Sequence, residues 1–531
     1  MKSFIKHILT GSLILGFLFL SFISYGQERF NVRYDSGFPN TLFKSVIEID
    51  GGYFTTGFLG DTLGFNNGRP TIYARFDYNG SLLFQKTIGG EEPFHLRRIG
   101  SQNPDLQFLN DSTLIHSGVT YDAEGVRQGF IMKVSQEGDT LAMNRFHSPN
   151  YPGEDIGSIY NSMTTLRCQI ATDGNILVSS SFANDPVTQH DIIIQKYTPE
   201  GALLWTYEHI SDQPSEYVTA LIPTEDGGGI FEVYDIVEEG VSGRSHFFRC
   251  DNQGNLLWEY FTDVAENFGA VPCALLEEEF LICSVHQKDL VYPHHWASQL
   301  MKMDTTGVVH WRTSVWENDF NHRHYSSKVV KSEDGNYVLS GVYNVGLPNT
   351  NDDSSSAFLA KINTEGERIW RRKYKYIDTG DDIHKLNDLK ATSDGGYVFC
   401  GESNIINNDT LDLPGPQQQG WIVKVDEYGC LVEGCEIYDY VEEIGDIHTE
   451  EYIKIGPIPA QDVLNIYQIK KLPPDAFIEI IDMNGKQVKS FHIETQGTTL
   501  MVDISFLPAG QYLINLIDRG LVLQSERVLF Y

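Results

Sequence analysis

The chain has 531 residues, of which 41% are hydrophobic and 12% aromatic, enough apolar material for a large core or two folded units. Its formal charge of −33 excludes a surface built to hold a phosphate backbone, which needs clustered Lys and Arg, so no nucleic-acid partner is expected. The 48 glycines and short apolar runs bounded by Asp, Asn and Gly exclude a helical protein and point to all-β architecture with many tight turns.

Residues 1–26 read as a signal peptide. Lys2 and Lys6 form a basic start, ILTGSLILGFLFLSFIS an apolar core, and Ser24 and Gly26 are small residues before a mature start at Gln27. The core is short for a membrane span and no basic flank follows it, which favours cleavage over a retained anchor. No cysteine follows the site to carry a lipid, and no later stretch is suited to spanning a membrane.

The next segment, RFNVRYDS (29–36), has the pattern of a lone strand, and from residue 43 the chain repeats itself. An acidic turn residue recurs at Asp50, Asp111, Asp173, Asp226, Glu277, Asp334 and Asp394. Seven residues later comes the second member of a small pair, at Gly57, Gly118, Ser180, Ser284, Gly341 and Gly401, with Val233 breaking the pattern in unit four. A second turn in each unit ends in Gly80, Gly138, Gly201, Gly254, Gly307, Gly366 or Gly429. Four residues beyond stand Phe84, Trp205, Trp258, Trp311 and Trp370, replaced by Ala142 in unit two and Glu433 in unit seven. An aromatic at a fixed strand position packs one unit on the next. Two hairpins per unit and seven units predict a seven-bladed β-propeller of four-stranded blades over 27–435. The small pairs suit a crowded axis, so the second strand is expected innermost. The lone strand is expected to complete the last blade.

Antiparallel order places the two short turns of each unit on one face. The long connections Gly60–Thr71, Thr87–Pro104, Asn344–Ser356 and Asn404–Gln419 then belong to the opposite face, where a binding site is expected. Four histidines fall near that face beside unit five: His294 and His295 in VYPHHW, followed by Trp296, and His322 and His324 in NHRH. They are candidates for holding a ligand, with Trp296 as a stacking platform, although adjacent histidines lack zinc-ligand spacing. TNDDSSS (350–356) is oxygen-rich and suits Ca²⁺ or plain solvation; no other cofactor is expected. Among seven cysteines, Cys430 and Cys435 are the best disulfide pair, Cys273 and Cys283 flank one hairpin, and Cys168, Cys250 and Cys400 suit buried apolar positions.

Past Cys435 an acidic stretch (436–451) reads as a linker, and alternation with turns at MNGK and PAGQ over 452–531 predicts a small immunoglobulin-like β-sandwich.

Two resemblances add to this reading. DGGYVFCGES…GWIVKVDEYG and SLLFQKTIGG resemble a widespread bacterial and archaeal propeller repeat of Asp-Gly-Gly-Tyr type, over residues 43–435. The tail resembles the type A C-terminal sorting domain of the type IX secretion system. Its matching blocks are Pro457-Ile458-Pro459-Ala460 with Asp462-Val463-Leu464-Asn465-Ile466, then Asp482 to Lys486, then Asp503 to Tyr512 with Leu507, Pro508 and Gly510. Ile458 departs from the family's usual Asn, and the end is Phe-Tyr rather than basic. The resemblance implies recognition by the secretion machinery, passage across the outer membrane of a Gram-negative bacterium, and release or attachment to surface lipopolysaccharide. No G-x-S-x-G, H-E-x-x-H or Walker motif is present. The expected activity is therefore binding of a glycan or protein by an exported propeller. The alternative is a secreted enzyme degrading polysaccharide or peptide from the long-loop face.

Overall fold

The computed structural model describes Arg29 to Phe530 except residues 61–69, 90–105, 122–126, 147–162, 184–189, 210–214, 239–241, 262–273, 278–279, 289–295, 305–307, 317–322, 345–353, 377–381, 406–417, 433–434, 436–439, 445–452, 457–462, 469–471, 473–475, 483–485, 493–498, 509 and 519–520. Its strands form a seven-bladed propeller followed by a two-sheet tail.

Six blades are four-stranded antiparallel meanders in chain order. Blade one holds Asn40–Ile49, Gly52–Gly60, Thr71–Phe76 and Leu82–Ile88, and blade six holds Arg323–Lys331, Tyr337–Asn344, Ser355–Ile362 and Arg368–Lys375. Blades two to five span Gln107–Phe146, Met163–His209, Ser215–Phe261 and Ala274–Ser314. Blade seven takes only three strands from its own stretch of chain, Ile383–Ala391, Tyr397–Asn404 and Gln418–Val425. Its fourth is the lone strand Phe30–Tyr34, antiparallel to Gln418–Val425.

The repeated residues now have physical roles. In blades three, four, six and seven the Asp of the first turn accepts from its own turn and from a cation on the third strand. Asp394 takes Gly396 N–H at 3.1 Å and Lys424 Nζ at 2.9 Å; Asp334 takes Asn336 N–H at 3.1 Å and Lys361 Nζ at 2.7 Å. Asp173 and Asp226 do the same with Lys196 at 2.6 Å and Arg249 at 3.3 Å. These bonds hold the carboxyls of Asp334 and Asp394 below the usual range despite the opposing effect of desolvation. The fourth-strand aromatic reaches under the next blade's second turn. Trp205 Nε1 donates to Asn252 O at 2.8 Å and Trp311 Nε1 to Thr364 O at 3.0 Å. The turn glycine is required twice over, by a positive φ and by that indole. At Gly366 φ is +89° and a Cβ would stand 2.8 Å from the Trp311 ring. Gly366→Ala should therefore lower the unfolding free energy by about 1–3 kcal/mol in a denaturant titration; a change within error would separate this turn from blade packing.

The expectation that the second strand is innermost is corrected. Second strands are hydrogen-bonded on both sides in every blade, so the axis-facing edge belongs to the first strand. First strands meet their neighbours around the ring. Ser45 Oγ donates to Asp388 Oδ2 at 2.6 Å, Ser327 Oγ to Leu386 O at 2.9 Å and Gln107 Nε2 to Cys168 O at 2.8 Å. The small pairs answer a different crowding. First strands of blades one, six and seven shift register beside Gly57, Gly341 and Gly401. That bulge pushes a carbonyl against each glycine: a Cβ would lie 2.1 Å from Leu42 O, 1.9 Å from Tyr325 O and 1.8 Å from Lys385 O respectively.

The lone strand closes the ring and supplies the aromatic that blade seven lacks. Phe30 stands opposite Lys424, the register of Trp205 opposite Lys196 and Trp370 opposite Lys361. Its ring lies against Gly80 of blade one, 2.7 Å from where a Cβ would be. Arg29 pairs with Asp426 at 2.9 Å, and Trp421 Nε1 donates to Asn31 Oδ1 at 2.6 Å. Glu48 takes Ser393 N–H and Oγ–H, each at 2.7 Å, across the same seam.

After the last turn Cys430 and Cys435 are disulfide-bonded. Arg372 Nη2 donates to Cys435 O at 3.2 Å and Tyr374 OH to Gly429 O at 2.7 Å, seating the loop on blade six. Ala274, not Cys273, faces Cys283; Cys273 lies outside the described residues. Cys168, Cys250, Cys283 and Cys400 are buried. The stretch expected to be linker contains a strand, Tyr440–Ile444, paired parallel to Arg368–Lys375 as a fifth strand on blade six. In the tail, a three-stranded sheet with Ile453–Gly456, Val463–Gln468 and Thr499–Asp503 faces a four-stranded one with Phe477–Asp482, Gln487–His492, Gly510–Asp518 and Leu521–Phe530. Leu464 and Ile466 from the first share one core with Ile480, Ile514 and Val528 from the second.

Candidate functional site

Every described strand end flanking a long connection lies at the face opposite the Asp and Gly turns. At that face the seam between blades seven and one carries a row of polar side chains near the axis. Lys385 and Glu402 sit opposite each other on adjacent strands, and Asn404 sits opposite Gln418. Lys385 Nζ lies 3.4 Å from Glu402 Oε1, and Gln418 Nε2 donates to Glu402 Oε2. Gln418 also bridges by its backbone to Asn40, the first residue of blade one's inner strand. Alternation accounts for the row: Val398 and Cys400 pack toward blade one, so Glu402, two residues on, points the same way.

The segment between the closing strand and blade one passes over this seam. Gln419 holds it, donating from Nε2 to Phe38 O at 3.3 Å and accepting Ser36 N–H at 3.5 Å. Phe38 is 38% exposed and the Lys385 side chain about half exposed, at 51%, so an aromatic face and an ammonium are both open to a ligand. The row offers hydrogen-bond donors and acceptors around a balanced ion pair.

The predicted histidine cluster divides. His294, His295 and His322 lie outside the described residues, and Trp296 opens the strand Trp296–Asp304. His324 is fully buried, stacked on Tyr343 at 4.7 Å and packed against Trp316 at 5.5 Å. Lys373 Nζ lies over the Tyr343 ring, 3.3 Å from its centroid, and over Trp316 at 5.0 Å. His324 therefore belongs to a packed cation–aromatic knot between blades five and six rather than to an open ligand set. Another histidine pair, His209 and His246, does meet, with centroids 5.0 Å apart. Burial first, then His209 and Arg244, pushes His246 down to about 3, so it is neutral at physiological pH. Most of the proposed calcium stretch, 350–353, is outside the described residues, while Ser354, Ser355 and Ser356 are buried. Among the described residues no group of three or more His, Cys, Asp or Glu is arranged to hold a metal.

The Lys385–Glu402–Gln418 row escaped sequence reasoning. Its only signal is that these residues are polar at strand ends whose neighbours alternate apolar, a pattern common to solvated strand ends.

The tail's matched blocks form its turns and core. Leu464 is fully buried. Asp503 Oδ1 accepts Ser505 N–H at 3.0 Å and Oγ–H at 2.6 Å, bonds that draw its carboxyl below the usual range. Tyr512 OH reaches back to Pro508 O at 2.8 Å while its ring stacks on Phe530 at 4.6 Å. This tie across a strand corner is familiar from β-sandwiches. Leu507 packs on the core and Gly510 opens the next strand. Pro457, Pro459 and Asp462 lie outside the described residues. By sequence, residues 454–528 match the secretion system C-terminal sorting domain family. The tail is a type IX sorting domain. The protein that carries it is exported and ends up released or attached at the outer surface of a Gram-negative bacterium.

No curated protein matches the chain by sequence. Among solved structures it is similar to an ulvan lyase, at 9% identity and TM-score 0.47, covering 75% of this chain and 97% of that one. It is also similar to the α-L-arabinofuranosidase of Fusarium graminearum with arabinobiose, at 11% identity and TM-score 0.41, covering 64% and 98%. A third is the acylaminoacyl peptidase of Pyrococcus horikoshii, at 9% identity and TM-score 0.37, covering 82% and 59%.

Proposed function

We propose that this is an exported binding module whose propeller takes a glycan at the long-loop face. The observation that carries the reading is the row of Lys385, Glu402 and Gln418 with its half-exposed ammonium, set on a ring closed by its own N-terminal strand, whose continuation carries the exposed Phe38. Rigid strands hold these groups in place before any ligand arrives, which limits the ordering cost of binding. The sorting domain delivers the ring, and the ring does the binding.

The test is a thermal-shift screen of the mature protein against polysaccharides and glycans, with the same samples assayed for cleavage products. Stabilisation without cleavage is expected. Cleavage would replace this reading with the enzyme alternative, and stabilisation by protein partners alone would replace the glycan. Export is tested separately. Deleting residues 451–531 should strand the protein in the periplasm, read by fractionation; normal surface levels of the truncated chain would refute the role given to the tail.

A further inference from the structure

Which glycan the seam can take follows from its charge balance. Both oxygens of Glu402 are engaged, one by the Lys385 ammonium and one by the Gln418 amide, so the row carries no net charge. Lys385 is half exposed and keeps further N–H donors beyond the one aimed at Glu402; Gln418 keeps a second N–H and its carbonyl oxygen. Asn40, bridged to Gln418, adds a second carboxamide at the same edge. Such a row can donate and accept at once. Neighbouring hydroxyls of a sugar ask for that combination, while a carboxylate or sulfate asks for an excess of donors. Phe38 offers an apolar face for the C–H side of the ring. The surrounding field works in the same direction. A chain of charge −33 repels polyanions, and no uncompensated cation stands in the row to reverse this locally.

We infer that the seam between blades seven and one is a subsite for a neutral, hydroxyl-rich saccharide, recognised through Lys385, Glu402, Gln418 and Asn40 with Phe38 as its platform. The inference rests on the glycan reading above and adds the place and the ligand class.

The experiment titrates the mature full-length protein with neutral gluco-, manno- and xylo-oligosaccharides and with polygalacturonate and a sulfated galactan, at low and physiological ionic strength. A neutral saccharide should bind with affinity nearly independent of salt, because no counterions are released. Lys385→Met, Gln418→Ala and Phe38→Ala should each weaken it about tenfold, the loss of one good hydrogen bond or of the platform. Tyr428→Ala, on the short-turn face, should leave it unchanged. Unaltered melting temperatures in these variants confirm folding, and the three independent positions keep the test alive if one misfolds. Neutral saccharide bound equally by all three variants would overturn the subsite and leave the glycan reading standing. Tighter, salt-dependent binding of a polyanion would overturn the ligand class. Binding of no saccharide at all would remove both.

Discussion

Phe30→Ala should cost the propeller about 3–5 kcal/mol of unfolding free energy, the usual range for a buried phenylalanine. Phe30 is 8% exposed and sits where other blades keep a tryptophan, yet it lies some 390 residues from its partner strand in the sequence. The ring contacts Gly80 and stands 5.8 Å from Tyr53, both in blade one, while its backbone pairs with Lys424 of blade seven. One side chain thus couples the first blade to the last. Loss of this contact should also speed proteolysis throughout the ring, since an open seam exposes the two apolar sheet faces that blades seven and one press together. Guanidinium titration with the disulfide intact measures the effect. A loss below about 1 kcal/mol would mean that closure rests on Arg29–Asp426, Asn31–Trp421 and Glu48–Ser393 rather than on the aromatic.

The second large effect is a pH dependence set by Glu232. This carboxyl is buried on the second strand of blade four, with Ser245 Oγ donating to Oε1 at 3.0 Å. Burial pushes it up to about 8, against the smaller opposing effects of Ser245, Thr219 and Arg167. In the unfolded chain it ionises near 4.5. The folded state therefore binds this proton more tightly. The stability it contributes is complete below pH 4.5 and is lost as pH rises through 8. Glu232→Gln keeps the shape and removes the titration. The variant should gain on the wild type between pH 6 and 9 by on the order of a few kcal/mol, and show no advantage near pH 4. His116 works in the opposite sense. Burial pushes it down to about 4, so its contribution is lost as pH falls through that value. A stability difference between wild type and Glu232→Gln that stays flat from pH 4 to 9 would show that the carboxyl is not protonated in the folded ring.

Much of the fold was legible because the repeated residues solve the same local problem in several blades. Asp173, Asp226, Asp334 and Asp394 cap their turns and pair with third-strand cations, and Gly254, Gly366 and Gly429 accept an indole where any side chain would collide. The lone strand was legible for the same reason, since RFNVRY carries the fourth-strand pattern away from any blade. Two features were misread. By composition the small pairs Ser340-Gly341 and Cys400-Gly401 suit the crowded axis. Their constraint is instead a bulge on the adjacent strand, which has no composition of its own. The acidic stretch after Cys435 looked like solvated linker, yet Tyr440–Ile444 pairs with a strand that carries five basic residues. The candidate site was the least legible part. Lys385, Glu402 and Gln418 come from three strands and become a row only through register, and the closing segment that brings Phe38 there begins at the other end of the chain.

Hydrogen exchange of the mature protein, with and without the saccharide that stabilises it best, tests the central claim most directly. Protection is expected at the long-loop ends of Ile383–Ala391, Tyr397–Asn404 and Gln418–Val425 and in residues 35–40, with the turns at Asp226, Asp334 and Asp394 unchanged. Protection of those turns instead, with the seam between blades seven and one unaffected, would put the ligand on the wrong face and contradict the account.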